Sequence, residues 1–283
     1  KLIGDFTVAK AGPERFYVFG SGAAEKYHMR WFEQHLPDDG MVKVTALGQA
    51  LSGLSIAGPK SRQVLAKLTD ADISATACRF MDFRPAMEIG MVPAMVGRIS
   101  FTGDLGFEMW VRPEHQVALF EALWEAGQEF GIRPFGSRAL LSLAREKNFG
   151  TWAREFRPIY GPFEADLGRF VDLSKNDFIG RAGAIADKAA PKRQRVSFVV
   201  EATDADALGD EAVWKDGTVV GWVTSGGYCH HAACSLAIGY VPSETLASGA
   251  AGARWEIEIL GERRPARLQR EPLFDPKAER MRG

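Results

Sequence analysis

From residue 191 onward the chain stops offering helices. It runs instead through VSFVVEA (196–202), AVWKDGTVVGWVTSGGY (212–228), SLAIGYV (235–241) and RWEIEILG (254–261), short stretches parted by Gly-rich or Asp-Gly turns. β-Branched and aromatic residues between tight-turn signals read as hairpin-connected strands. With no helix to cover one face, such strands must bury that face against one another, in a small barrel or sandwich. The basic run PKRQR (191–195) reads as the linker into this region, which places a boundary near residue 190.

Upstream, strand and helix signals alternate. FTVAKAGPERFYVFG reads as strands at Phe6–Ala9 and Arg15–Phe19 around an Ala-Gly-Pro turn. SGAAEKYHMRWFEQHL reads as a helix with Ser21 as N-cap and with Tyr27, Trp31 and Phe32 on one face. In VTALGQALSGLSIAGPKSRQVLAKL a strand runs to Gly58, and Pro59 opens a helix. Strands at Ala94–Ser100 and Phe107–Val111 and helices near 113–130 and 136–147 complete an α+β pattern. At about 100–200 residues per domain, a chain of 283 residues with 46% apolar content holds two or three domains. We assign them to 1–82, 83–190 and 191–283.

Charge and cysteine usage narrow the function. With 35 basic and 36 acidic residues the chain has no global field for nucleic acid or an anionic membrane. No apolar run approaches the ~20 residues of a membrane span, and no signal peptide is visible. Cys78, Cys229 and Cys234 are odd in number and lack a C-x-x-C pair, which fits a reducing compartment. Dinucleotide, Walker, nucleophile-elbow and H-E-x-x-H motifs are missing. His230 and His231, adjacent in a β run, would point to opposite faces and make a poor metal site.

Three polar residues sit at the edges of apolar elements. Asp5, beside the first strand, reads from its surroundings as a turn residue. Glu108, in TGDLGFEMWV, is either a solvent-facing strand residue or a carboxylate that accepts hydrogen bonds from a ligand or buried partner. Arg138, in FGSRALLSLAREK, lies in the first turn of a helix, where a cation opposes the macrodipole.

At these positions the sequence resembles the folate-binding T-protein of the glycine cleavage system and its relatives, above all the C-terminal folate domains of dimethylglycine dehydrogenase, dimethylglycine oxidase and sarcosine dehydrogenase. IGDFTVAK resembles the family's Gly-x-Asp-Leu-Thr-Val segment and places Asp5 on its functional carboxylate. FTGDLGFEMWV resembles Thr-Gly-Glu-x-Gly-Tyr/Phe-Glu and places Glu108 on the acid that holds the pterin. GSRALLSLAREKNFGTWAREF resembles the Arg-x-x-x-Ser-Leu-Arg-Leu-Glu-Lys stretch and places Arg138 on a ligand contact. GPFEADLGRFVDL, DFIGRAGA and VVGWVTSGGYCHHAACSLAIGYV come next, in family order.

The resemblance implies a T-protein-like fold, with α/β folate-binding domains, a ferredoxin-like part and a C-terminal β-barrel. It also implies transfer of a one-carbon unit from a methylated amine such as dimethylglycine or sarcosine, or its iminium, to tetrahydrofolate. Asp5 would act at the reacting nitrogens, Glu108 and Arg138 would bind the folate, and Trp152 and Tyr228 would pack on its rings. The arginines of ERRPARLQR (262–270) offer charge for its glutamate tail, or simply solvate a barrel edge.

FAD is expected only in a domain absent from this chain, as a partner domain or subunit. The compartment expected is the cytoplasm, or the mitochondrial matrix in a eukaryote. The family segment that precedes the Asp5 strand is missing, the family's second Arg is Ala144 with Arg145 beside it, and the tail PLFDPKAERMRG lacks the T-protein tyrosines. The alternatives are a lipoyl-linked aminomethyltransferase, another folate-dependent demethylase, and a folate-binding module without turnover.

Overall fold

The computed structural model describes residues 1–247 and 252–283. They form two compact units: Phe6–Leu140 with Asp275–Gly283, and Lys1–Asp5 with Leu141–Phe274.

In the unit containing Phe6–Leu140, β1 (Thr7–Lys10) and β2 (Phe16–Phe19) make an antiparallel hairpin, its turn closed by Ala11 and Gly12 N–H groups on the Arg15 carbonyl. Asp5 therefore precedes β1 by two residues and lies outside the strand. Helix α1 (Glu25–His35) comes after a 3₁₀ turn. Ser21 stands before that turn, but its side chain makes no capping bond. The helix buries His28 most deeply, edge-on to Phe6 at 4.7 Å.

A four-stranded antiparallel sheet forms the body of this unit. Its strands are β3 (Ser52–Ala57), β4 (Phe83–Ile89), β5 (Val92–Gly97) and β6 (Gly106–Val111), in the order β3-β6-β5-β4. The sheet runs across residue 82, so the residue grouping differs from the 1–82 and 83–190 reading. Strand β4 was not legible, because Pro85 interrupts its pattern. The strand accommodates Pro85 at a register shift between Arg84 and Met87, on the sheet edge, where a missing N–H costs little.

One face of the sheet carries Phe107, Met109 and Val111 from β6 and Ala94 and Val96 from β5. It packs against Val64 and Leu65 of α2 (Ser61–Ala66) and Leu119 and Leu123 of α3 (Gln116–Gly127). Each of these buried Val, Leu, Phe and Met side chains contributes about 1.5–3 kcal/mol. Arg98 is also fully buried, with Nη2 donating to the carbonyls of Met281 (2.9 Å) and Gly283 (3.4 Å) and Nη1 to that of Gly106 (3.3 Å). It holds residues 275–283 in this unit. The division between units falls inside helix α4 (Ser137–Glu146).

The other unit contains α5 (Arg181–Ala189) and a closed six-stranded barrel. The strands are β7 (Arg193–Val200), β8 (Ala212–Lys215), β9 (Thr218–Cys229), β10 (Cys234–Pro242), β11 (Trp255–Ile259) and β12 (Glu262–Gln269), in the order β10-β7-β12-β11-β8-β9. The α+β fold with a C-terminal barrel is thus as read from the sequence. Residues 193–195 are not linker: Arg193 pairs with Pro242 and Arg195 with Tyr240. Nor is 262–270 an edge, since β12 is bonded to both β11 and β7. Phe198, Val213, Val223, Trp255 and Ile257 fill the barrel interior. The Asp216-Gly217 turn takes positive φ at both residues, as a tight hairpin between β8 and β9 demands.

Candidate functional site

Glu108 lies on the sheet face opposite the core. Strand β6 alternates Phe107, Met109 and Val111 inward with Glu108 and Trp110 outward, as the two-residue strand period requires. Its direct partners are Ser55 on β3 and Gly97 on β5, and Gly97 pairs in turn with Phe83 on β4. Glu108 is therefore flanked by a small side chain and by none, and it is half-buried rather than solvent-facing. Its carboxylate has no hydrogen-bond or ion-pair partner among the described residues, and desolvation raises its pKa above the usual carboxylate range. An unpaired carboxylate in mid-sheet is costly, and donors from a ligand would offset that cost.

An aromatic cluster stands beside it. Trp110 is stacked by Phe19 at 4.1 Å and 19°, and Phe83 and Tyr17 complete the group. Sequence reading missed these residues. The available signal was Trp110 two positions from Glu108 on the same strand face. Arg138 is the second residue of α4, exposed, and its guanidinium has no partner among the described residues.

Asp5, Trp152 and Tyr228 belong to the other unit. The Lys1–Asp5 segment is pinned there at three points: Lys1 Nζ to Glu164 (3.1 Å), Leu2 N–H to the Tyr160 carbonyl (2.9 Å), and Trp152 Nε1–H to the Ile3 carbonyl (3.1 Å). Trp152 is half-buried, with Phe156 and Tyr160 in the same cluster. It is thereby tied to the backbone that carries Asp5.

The Asp5 carboxylate is open to water on one side and has no partner among the described residues. Protein crowding it from elsewhere desolvates the group and raises its pKa. Tyr228, on β9, is 41% exposed and meets His230 edge-on at 5.1 Å, while its carbonyl accepts from Ser142 Oγ at 2.7 Å.

Where the family pattern has Arg, Ala144 is buried. The Arg145 guanidinium instead lies against β9, where a Cβ on Gly227 would be 2.8 Å from its Nη1. Glu155, also missed, is buried and satisfied by Thr151 N–H (2.8 Å), Thr224 Oγ1 (2.8 Å) and Ser225 Oγ (2.7 Å), a structural role. His230 and His231 occupy the turn after β9 rather than a strand, and His231 N–H donates to Glu146 Oε1 at 2.9 Å. A cavity of about 430 Å³ beside the barrel, bordered by Asn148, Asp166, Arg195 and Arg270, includes none of the five residues read from the sequence.

Known proteins share both halves of this architecture. Residues 1–175 match the GCVT N-terminal domain, and residues 193–275 match the glycine cleavage T-protein C-terminal barrel domain. Human dimethylglycine dehydrogenase, mitochondrial, is 36% identical over 285 aligned residues, covering 100% of this chain and 32% of that protein. The 4-methylaminobutanoate oxidase (formaldehyde-forming) of Paenarthrobacter nicotinovorans is 31% identical over 99% of this chain and 33% of its own length. The chain thus spans about a third of these relatives. The crystal structure of glycine cleavage system aminomethyltransferase T from Bartonella henselae shares the fold, with a TM-score of 0.81 at 22% identity over 97% of this chain and 73% of that one.

Proposed function

The chain belongs to the glycine cleavage T-protein family, and from that premise we propose that it moves a one-carbon unit from a methylated amine, such as dimethylglycine or sarcosine, or its iminium, to tetrahydrofolate. The observation that carries this reading is Glu108, an unpaired, desolvated carboxylate in the middle of a sheet. The edge of a pterin presents adjacent N–H donors, and a carboxylate takes two of them as charge-assisted hydrogen bonds. The match to dimethylglycine dehydrogenase, which runs the length of this chain, supports the amine class.

Bound folate supplies the nucleophilic nitrogen that accepts the one-carbon unit. Glu108 holds the ring edge. Arg138, with no other partner among the described residues, gives its planar fork to an acceptor or carboxylate of the folate. Asp5 stabilises positive charge beside the reacting nitrogens and takes up the proton released on bond formation. Trp152 fixes the segment that presents Asp5, and both Trp152 and Tyr228 offer rings for the folate to pack on.

Three of the arginines on or beside β12 are already engaged. Arg264 makes a two-pronged bond to Asp204 (2.8 and 3.0 Å), Arg263 stacks on Trp214 at 3.3 Å, and Arg267 donates to Gln269 Oε1 at 3.2 Å. Arg270 remains as the candidate contact for a glutamate tail.

Oxidation of the amine is assigned to a flavin domain or subunit outside this chain. No helix of the described residues is long and apolar enough to cross a membrane. Three free cysteines, two of them buried, support a reducing compartment, the cytoplasm or a mitochondrial matrix. Titration calorimetry with tetrahydrofolate tests the proposal: saturable binding that Glu108→Gln weakens by about ten- to a hundredfold is the expected result, and heat that never saturates overturns it.

A further inference from the structure

The outward face of the β3-β6-β5-β4 sheet carries an arrangement with a purpose of its own. The Trp110 indole lies flat across three strands. A Cβ on Gly53 of β3 would be 3.5 Å from its Cδ1, and a Cβ on Gly97 of β5 would be 3.0 Å from its Cη2. Gly53 is the direct partner of Trp110, and Gly97 is the direct partner of Glu108. The six-membered edge of the indole thus reaches into the row that holds Glu108. A Cβ at 97 would press it outward by a few tenths of an ångström, while one at 53 would rest against it in ordinary contact.

The other face of the indole is covered by Phe19, nearly parallel at 4.1 Å, and Phe83 stands 6.1 Å from it at the far side of Gly97. On the remaining side of Glu108 is Ser55, small and exposed. The carboxylate therefore has an aromatic wall on one flank and an opening on the other. No charged side chain stands in its row, which reads Phe83, Gly97, Glu108, Ser55.

We propose that Trp110 is a positioning residue for the folate ring: seated on Gly53 and Gly97 and locked by Phe19, it closes one flank of Glu108, so a planar donor edge meets the carboxylate only from the Ser55 side. The proposal rests on the reading of Glu108 as the ring-binding carboxylate. Its physical content is separable from that reading. A flat indole excludes water from one side of the carboxylate, which strengthens any charge-assisted bond made there, and it removes orientations in which a donor edge could approach from the β5 side.

Three variants test it: Trp110→Leu, Trp110→Phe, and Gly97→Ala, which presses the indole outward by a few tenths of an ångström while keeping the Trp110, Phe19 and Glu108 side chains. The readouts are the tetrahydrofolate dissociation constant, and in ligand-free protein the pH titration of the Glu108 carboxyl ¹³C resonance, identified by its loss in Glu108→Gln. Thermal melting checks that each variant is folded. Trp110→Leu and Gly97→Ala weaken binding about tenfold, and Trp110→Phe restores it to within about threefold. In Trp110→Leu the Glu108 midpoint falls toward the ordinary carboxylate range as water reaches the group.

Folded Trp110→Leu with wild-type affinity and an unmoved Glu108 midpoint overturns the proposal, whatever Glu108→Gln does. If Glu108→Gln itself binds like wild type, the functional reading of Glu108 falls and takes the folate role of Trp110 with it. The carboxyl titration then still reports whether the wall exists.

Discussion

Trp152 donates its indole N–H to the carbonyl of Ile3 at 3.1 Å, two residues before Asp5, so the proposed catalytic carboxylate is carried on a backbone that a side chain far along the sequence holds in place. Trp152→Phe keeps most of the ring and removes the donor, at a cost of about 1 kcal/mol in stability. We expect one-carbon transfer to fall about tenfold, because small misplacement of a reacting group is expensive. Folate affinity should change little. Parallel measurement of turnover and of the folate dissociation constant checks this, and an equal loss in both would assign Trp152 to the ligand instead.

Asp5 must be ionised to accept a proton, and desolvation raises its pKa. The acid limb of the pH–rate profile for methylene transfer therefore lies above the ordinary aspartate range and rises with pH. Asp5→Asn should remove that limb together with at least about a hundredfold of the rate, while folate binding persists. The profile is measured with the oxidised amine supplied in the assay.

Glu108→Gln should stabilise the fold while weakening function. The folded state holds the Glu108 proton more tightly than the unfolded chain does. Between the ordinary value of 4.5 and the raised one, the folded form binds more protons, and stability falls as pH rises through that window. Gln carries no such loss. Melting temperatures of the two proteins should agree in acid below that window and diverge in favour of Gln at neutral pH. Folate affinity should drop by about ten- to a hundredfold. Unchanged melting at neutral pH would contradict the desolvation of Glu108.

Arg98→Met keeps the buried stem and deletes the donors to Met281 and Gly283. Hydrogen bonds from a charged group contribute about 1.5–3 kcal/mol each. We expect residues 275–283 to become sensitive to limited proteolysis and the melting temperature to fall. Intact-mass analysis of the digest identifies the cut.

Much of this fold is legible in the sequence because period-two alternation survives wherever one strand face is buried. β6 shows it from Phe107 to Val111, and the barrel strands repeat it between turn residues. It fails where chemistry disguises burial. Pro85 at a bulge hid β4, and the Arg193-Gln194-Arg195 run hid the start of β7. There Arg195 donates to Asn148, through Nη1 to Oδ1 (3.1 Å) and Nη2 to the backbone carbonyl (3.0 Å), and that partner is remote in sequence.

The proposed site divides the same way. Asp5, Glu108 and Arg138 stand out as polar residues at the edges of apolar elements, but their proposed roles come from motif resemblance, since local pattern alone leaves Asp5 a turn residue. The wall beside Glu108 could not be found, because it depends on Gly53 and Gly97 arriving from two other strands.

The barrel's closure also sets a timetable. Its first strand, β7, is hydrogen-bonded on one side to β10 and on the other to β12, both made later in synthesis. Until residue 269 has left the ribosome, β7 has a bare backbone edge, and so do the strands waiting to join it. Premature termination anywhere in this region leaves an open, sticky sheet rather than a smaller barrel. A nascent chain paused before β12 is therefore the species most in need of a chaperone.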